Sequence, residues 1–109
     1  MKKLIYIASP YTVGDQAENV RRQLLVADEL LEIGYIPFPP CLSHFWHFVS
    51  PKSWHTWLDI DKEILKRCDA VLRLEGESAG ADMEVELAFT LGIPVYYSIE
   101  GLKWLGKST

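Results

Sequence analysis

The chain has 109 residues, 49% of them hydrophobic, which bounds it to one domain (1–109) able to bury an ordinary core. Eleven basic residues against fifteen acidic ones give a net charge of -4, and no Lys/Arg cluster could neutralise a run of phosphates; this argues against a polynucleotide partner but not against a small anion. Cys41 and Cys68 are too few and too far apart for a disulfide scaffold, so reduced thiols in a cytoplasmic protein are expected.

The opening MKKLIYIASPY begins like a signal peptide, but its apolar run of about six residues is shorter than the about 7 to 15 an h-region needs. LIYIAS (4–9), ended by Pro10, instead predicts a central strand buried on both faces. No stretch is long and apolar enough for a membrane span. A helix follows, with Asp15 and Glu18 spaced as a capping box, Val20, Leu24, Ala27 and Leu31 at helical spacing, and Gly34 as the stop. YIPF (35–38) predicts a second strand near an edge, because Pro37 cannot donate to a ladder. PPCLSHFWHFVSPKS reads as a long aromatic loop, functional or holding a short irregular element. A second helix is expected from about Trp54 to Arg67, a third strand over 70–74, a third helix from Gly80 to Leu91 stopped by Gly92, and a fourth strand in IPVYYS. Strand and helix alternate, so the fold class is α/β: a small doubly wound, flavodoxin- or Rossmann-like parallel sheet of about four to five strands with helices on both faces. Such sheets bind ligands beyond the carboxyl ends of their strands, which directs attention to SPYT, the aromatic loop and EGESAGADME.

Two acids sit on apolar stripes. Asp61 shares a helical face with Trp57, Leu58, Ile64, Leu65 and Cys68, whereas Asp59, Lys62, Glu63 and Lys66 lie on the solvated side. Glu84 shares a stripe with Leu87, Ala88 and Leu91, whereas Asp82, Glu86 and Thr90 form the polar side. Burying a charge is costly, so acids in these positions mark a site more often than acids on a charged face; a small helix rotation exposing Asp61 is the bland alternative. In the expected first turn of its helix, Glu84 would be kept ionised by the helix dipole. Gly76, Ser78 and Gly80 would let backbone amides approach an anion at that helix entrance, or would simply make an N-cap and turn. Ser9 and Thr12 face the same crevice in this topology, and Pro10 and Tyr11 between them join the substrate-binding candidates, although turn residues after a first strand are equally common for no functional reason.

Residues 41–57 hold three histidines and three tryptophans. Cys41, His44, His47 and His55 lack the tight ligand spacing of zinc sites, and no metal or other cofactor is expected. Trp46, Trp54 and Trp57 are read first as core or subunit-interface residues, with a wall for a planar base as the alternative. GLKWLGKST matches a phosphate-loop pattern through Gly101, Gly106, Lys107 and Ser108, but no helix is expected after it and the pattern is not read as a P-loop.

D-(x)7-D before a strand, then S-A-G-A-D-M-E, then A-x-x-x-G-I-P-V, with IYIASPYT at the start, resembles the nucleoside 2-deoxyribosyltransferase superfamily from Ile5 to Val95. Within it the pattern looks like the 2'-deoxynucleoside 5'-phosphate N-hydrolases and small families, often of phages or prophages, whose chains begin IYIASPY or IYIAGPM. The resemblance implies that Glu84 attacks the anomeric carbon, that Tyr6 or a nearby hydroxyl orients it, and that Asp61 positions the sugar or protonates the leaving base. It further implies that Ser78 and Gly80 hold a 5'-phosphate and that Ser108 reaches the phosphate of a neighbouring subunit in a homodimer or larger homo-oligomer. SPYT lacks the Gly and Arg that many phosphate-binding members carry in this loop. The expected ligand is a nucleoside or nucleotide. The expected activity is N-glycosidic cleavage of a (deoxy)nucleoside 5'-monophosphate, with base exchange as the rival enzyme and a catalytically silent nucleotide-binding protein as the rival class.

Overall fold

The computed structural model describes residues 2–103 and 105. Its elements are β1 (Leu4–Ala8), α1 (Gln16–Glu32), β2 (Ile36–Phe38), a 3-10 turn (Pro40–Leu42), α2 (Ser43–Val49), α3 (Trp54–Leu65), β3 (Ala70–Arg73), α4 (Ala79–Leu91), β4 (Val95–Tyr96) and α5 (Ile99–Leu102). The four strands are parallel in the order β2-β1-β3-β4, with β2 carrying Pro37 on an edge. The expected doubly wound α/β sheet is what forms.

Period-two alternation on the central strands sets the layers. Ile5, Ile7, Ala70, Leu72 and Leu74 pack with Ala27 and Leu30 of α1 and Leu102 of α5 on one face. Tyr6, Ala8 and Val71 pack with Leu65 of α3, Cys68 and Ala81 and Ala88 of α4 on the other. β1 and β3 each have helices on both sides, and the chain turns outward in opposite directions from them. A crevice therefore opens past their carboxyl ends, between the β1–α1 and β3–α4 connections.

Asp15 caps α1 as expected, its carboxylate accepting from Glu18 N at 3.1 Å, and Ser53 caps α3, its Oγ accepting from Thr56 N at 3.2 Å. Gly92 closes α4 in the left-handed region at φ 74°. Four elements differ from the sequence reading. The buried stripe of α1 is Val20, Gln23, Ala27 and Leu30, while Leu31 is 53% exposed. α3 ends at Leu65 rather than Arg67, because Arg67 and Cys68 bend into a turn leading to β3. The aromatic loop contains the two-turn helix α2. The fourth strand is only Val95–Tyr96, since Ser98 Oγ caps α5 by accepting from Gly101 N at 3.1 Å. Gly101 is thus helical, and Gly106, Lys107 and Ser108 lie outside the described residues.

The β3–α4 connection is fastened from two sides. Arg22 donates to Glu75 O at 2.8 Å, and Arg73 donates to Leu74 O, to Gly76 O at 2.9 Å and to Asp82 Oδ1 at 3.0 Å. Gly76 has φ 122°, and a Cβ there would lie 2.7 Å from Pro10 Cγ. Gly76→Ala is therefore expected to cost ~1–3 kcal/mol, with about 4–8 °C of melting temperature lost per kcal/mol in a domain of this size. Thermal unfolding followed by circular dichroism measures it, and an unchanged melting point would refute the contact.

Candidate functional site

A cavity of about 730 Å³ occupies the crevice. Ser9, Tyr11 and Thr12 after β1, Gln23 of α1, Cys41, His44, His47, Lys52 and Trp54 of the segment after β2, Trp57 and Asp61 of α3, and Ser78, Gly80 and Glu84 around α4 all line it. Glu84, Asp61, Ser9, Tyr11, Ser78 and Gly80, which sequence reasoning singled out separately, thus meet at one opening. Pro10 does not line it; it is buried against Gly76 behind the loop. Ser108 lies outside the described residues.

Glu84 is 8% exposed, and its Oε2 accepts the hydrogen bond of the buried Tyr6 hydroxyl. Alternation along β1 explains the pairing, because Tyr6 points to the α3/α4 face while Ile5 and Ile7 point to the α1 face. Glu84 lies six residues past the Ser78 N-cap, in the second turn of α4 rather than the first. The dipole acts over the first turn only, and burial decides the outcome. The Glu84 carboxyl is pushed up to about 8 by burial, opposed by the Tyr6 hydrogen bond and reinforced by Asp61. The expectation of a carboxylate kept ionised by the helix is thereby corrected. Burial also pushes Asp61 up to about 7. The Tyr6 hydroxyl is held well above its ordinary value, by burial first and Glu84 second, so it stays a donor.

Ser78 is the N-cap of α4, with Oγ accepting from Ala81 N at 3.1 Å, and it borders the cavity as well; the two sequence readings of this residue coexist. Nothing lies within 4 Å of a Cβ built on Gly80, so the helix entrance is open there. Gly76 packs on Pro10 and not on the cavity. Asp82 is a surface partner of Arg73.

The tryptophans do not fill the core. Trp46, on α2, which has no buried residue of its own, and Trp54, the first residue of α3, are both about half exposed. Trp54 and Trp57 border the cavity instead. His44 is hydrogen-bonded to the Tyr11 hydroxyl, and His47 to Trp57. Among the described residues no group of three or more His, Cys, Asp or Glu is arranged to hold a metal, and no helix is long and apolar enough to cross a membrane.

Gln23 was not anticipated. It is 1% exposed, and its amide donates to Ile7 O at 3.3 Å and Ser9 Oγ at 2.7 Å while its oxygen accepts from Cys41 N at 2.7 Å. This fixes the amide orientation and leaves the Ser9 proton available to the cavity. Its place between Val20, Ala27 and Leu30 was the available signal, a polar residue on an apolar stripe like Asp61 and Glu84. Lys52 and Arg73 carried no such signal.

Fold and crevice together define a doubly wound α/β protein with a buried carboxyl–tyrosine pair at its topological switch point. The same fold is found in a solved 2-deoxyribosyltransferase from the psychrotolerant bacterium Bacillus psychrosaccharolyticus, described as a biocatalyst for synthesis of antiviral and antitumoral nucleosides. The likeness has a TM-score of 0.61 and 24% identity over 84% of this chain and 69% of that one. Residues 3–98 match the family described as Domain of unknown function (DUF7768), and the chain belongs to that family. No curated protein matches it.

The raised carboxyls have a consequence for stability. The folded value for Glu84, about 8, exceeds its ordinary 4.5, so the folded state holds the proton longer and stability falls as pH rises from about 4.5 to about 8. Glu84→Gln keeps an acceptor for Tyr6 and removes this loss. The variant is expected to melt at least about 4–8 °C above wild type at pH 8, equivalent to ~1 kcal/mol, with the gap closing towards pH 4.5. Melting curves across that range check it; a gap independent of pH would mean that Glu84 is ionised in the folded protein.

Proposed function

We propose that the protein cleaves the N-glycosidic bond of a (deoxy)nucleoside 5'-monophosphate through a covalent glycosyl–Glu84 intermediate. The observation that carries this reading is the buried Tyr6–Glu84 hydrogen bond facing a cavity shared with a second buried carboxyl, Asp61. Retaining glycosidic cleavage requires a positioned nucleophilic carboxylate and a second group that protonates the leaving atom. Tyr6 holds one oxygen of Glu84 and leaves the other for attack at the anomeric carbon. The bond to the base breaks as Asp61 gives its proton to the departing nitrogen. Water then attacks the glycosyl ester, Asp61 takes back a proton, and free sugar phosphate and the Glu84 carboxylate are released. The open helix entrance at Gly80, with the Ser78 and Ser9 hydroxyls, supports a phosphate position without an arginine.

The fold shared with a deoxyribosyltransferase favours a second reading, in which a base rather than water takes the sugar from Glu84. The two readings use the same first half-reaction and differ in whether free base accumulates without an acceptor base.

The active form holds one proton on the Glu84–Asp61 pair, with Asp61 protonated and Glu84 ionised. With Glu84 raised to about 8 and Asp61 to about 7, the proton of the free protein sits mainly on Glu84 and the active arrangement is the minor of the two one-proton forms; both forms peak between those values, and the two apparent constants belong to the pair. The expected kcat/KM profile is therefore a bell centred between about pH 7 and 8. Asp61→Asn should lose the alkaline limb, and Glu84→Ala should release no base. Tyr6→Phe should lower kcat about 10–100-fold and shift the acid limb upward, since its hydrogen bond lowers the Glu84 value. Chromatography of free base from nucleosides and their monophosphates measures each. Base release by Glu84→Ala at the wild-type rate would sink the mechanism.

A further inference from the structure

The wall of the cavity between residues 47 and 58 has a chemical bias that the cleavage reaction does not use. His47, Phe48, Lys52, Trp54, Trp57 and Leu58 line it. His47 Nδ1 receives two donors, the indole N–H of Trp57 at 2.8 Å and the backbone N–H of Lys52 at 3.2 Å. A nitrogen that accepts from both carries no proton, so the ring proton sits on Nε2, which has no partner among the described residues. Lys52 Nζ lies 3.2 Å from Ser50 Oγ and 5.6 Å from the centre of the Trp46 ring, with further protons to give. Trp54 carries a third donor, its indole N–H. The hydroxyls that could have accepted hydrogen bonds are turned elsewhere: Ser50 to Lys52, and Ser53 and Thr56 to each other at 3.0 Å. No carboxylate occurs between His47 and Leu58. Every side-chain hydrogen-bonding group this wall offers a ligand is therefore a donor.

The same wall is aromatic. Trp57 is held edge-to-face by Trp46 at 5.0 Å and 79°, and Trp54 also lines the cavity. Flat rings suit a flat ligand. We propose that this wall is a base subsite selecting bases that present a carbonyl where their counterparts present an amino group: hypoxanthine over adenine, and uracil over cytosine. A carbonyl oxygen accepts from His47 Nε2, Lys52 Nζ or Trp54 Nε1. An exocyclic amino group would set donor against donor, leaving unpaired the polar groups that the bound base shields from water, which is how sites reject close analogues. The inference deepens the cleavage reading, on which it rests for the position of the sugar.

A phosphate also presents acceptors, so the test separates the two sources. Calorimetric titration of Glu84→Gln, which binds without turnover in the proposed mechanism, uses dIMP against dAMP and dUMP against dCMP, with deoxyribose 5-phosphate as the base-free probe. The oxo member of each pair is expected to bind at least ~10-fold tighter. Lys52→Met and Trp54→Phe, added separately, keep the apolar body and remove a donor; each should shrink that ratio while leaving the affinity for deoxyribose 5-phosphate unchanged. Equal affinities, an amino preference, or no binding of any nucleotide overturns the proposal. So does a Lys52→Met loss as large for deoxyribose 5-phosphate as for dIMP, which would make the wall a phosphate site. Wild-type turnover is followed in parallel: oxo preference without base release leaves the subsite standing and removes the cleavage reading, and base release without oxo preference does the reverse.

Discussion

The hydrogen bond from Tyr6 to Glu84 joins the central strand to the helix that follows β3. A carboxyl group buried to 8% exposure among apolar side chains is held against a desolvation penalty, which moves its proton affinity when pairing does not offset it. Here the tyrosine offsets part of that penalty, and the remainder appears as a carboxyl near 8. The surrounding architecture keeps the pair in place: parallel β1 and β3 set Tyr6 opposite Val71, and α4 packs on the same face through Ala81 and Ala88. Small side chains at those two positions let the helix approach closely enough for Glu84 to reach a strand hydroxyl.

The connections around this pair are tied by side chains rather than by length. Arg22 and Arg73 hold the carbonyls of the β3–α4 loop, and Asn19 donates to Tyr11 O and Val13 O to hold the β1–α1 loop. Gln23 links the end of β1 to the segment after β2 through Ile7, Ser9 and Cys41. Buried amides that use both donors and the acceptor fix one orientation of their neighbours. The cavity floor is therefore preorganised, whereas α2, with Phe45, Phe48 and Val49 largely exposed, lines the cavity through His44, His47 and Phe48 and has no buried residue of its own.

Much of the site was legible because a wrong residue type on a regular pattern is visible in one dimension. Asp61 and Glu84 interrupt apolar stripes, and the structure brings both to the cavity. Gln23 obeys the same rule but is hidden in the pattern, because Leu24 and Leu31 suggest a stripe one residue out of phase with Gln23 and Leu30. Seventeen residues of helix with several apolar positions admit more than one stripe, and only packing against β1 selects between them. The tryptophans invited a core reading by size alone. Aromatic size sets how much surface can be buried, not whether a neighbour exists to bury it.

The sequence by itself determined the four strands, the three long helices and their order, the edge position of β2 and the carboxyl ends at which a crevice would open, but not the short helices α2 and α5. These follow from periodicity, caps and turn residues, which act over a few neighbours along the chain. Only the tertiary structure decided that Tyr6 bonds Glu84 in a buried pair, that Glu84 stands beyond the reach of the helix dipole and retains its proton, that Pro10 turns behind the loop to Gly76, and that Nδ1 of His47 accepts from Trp57 and from the Lys52 backbone. Each of these depends on distances between residues far apart in sequence and on the depth to which packing buries them, quantities that no local pattern carries.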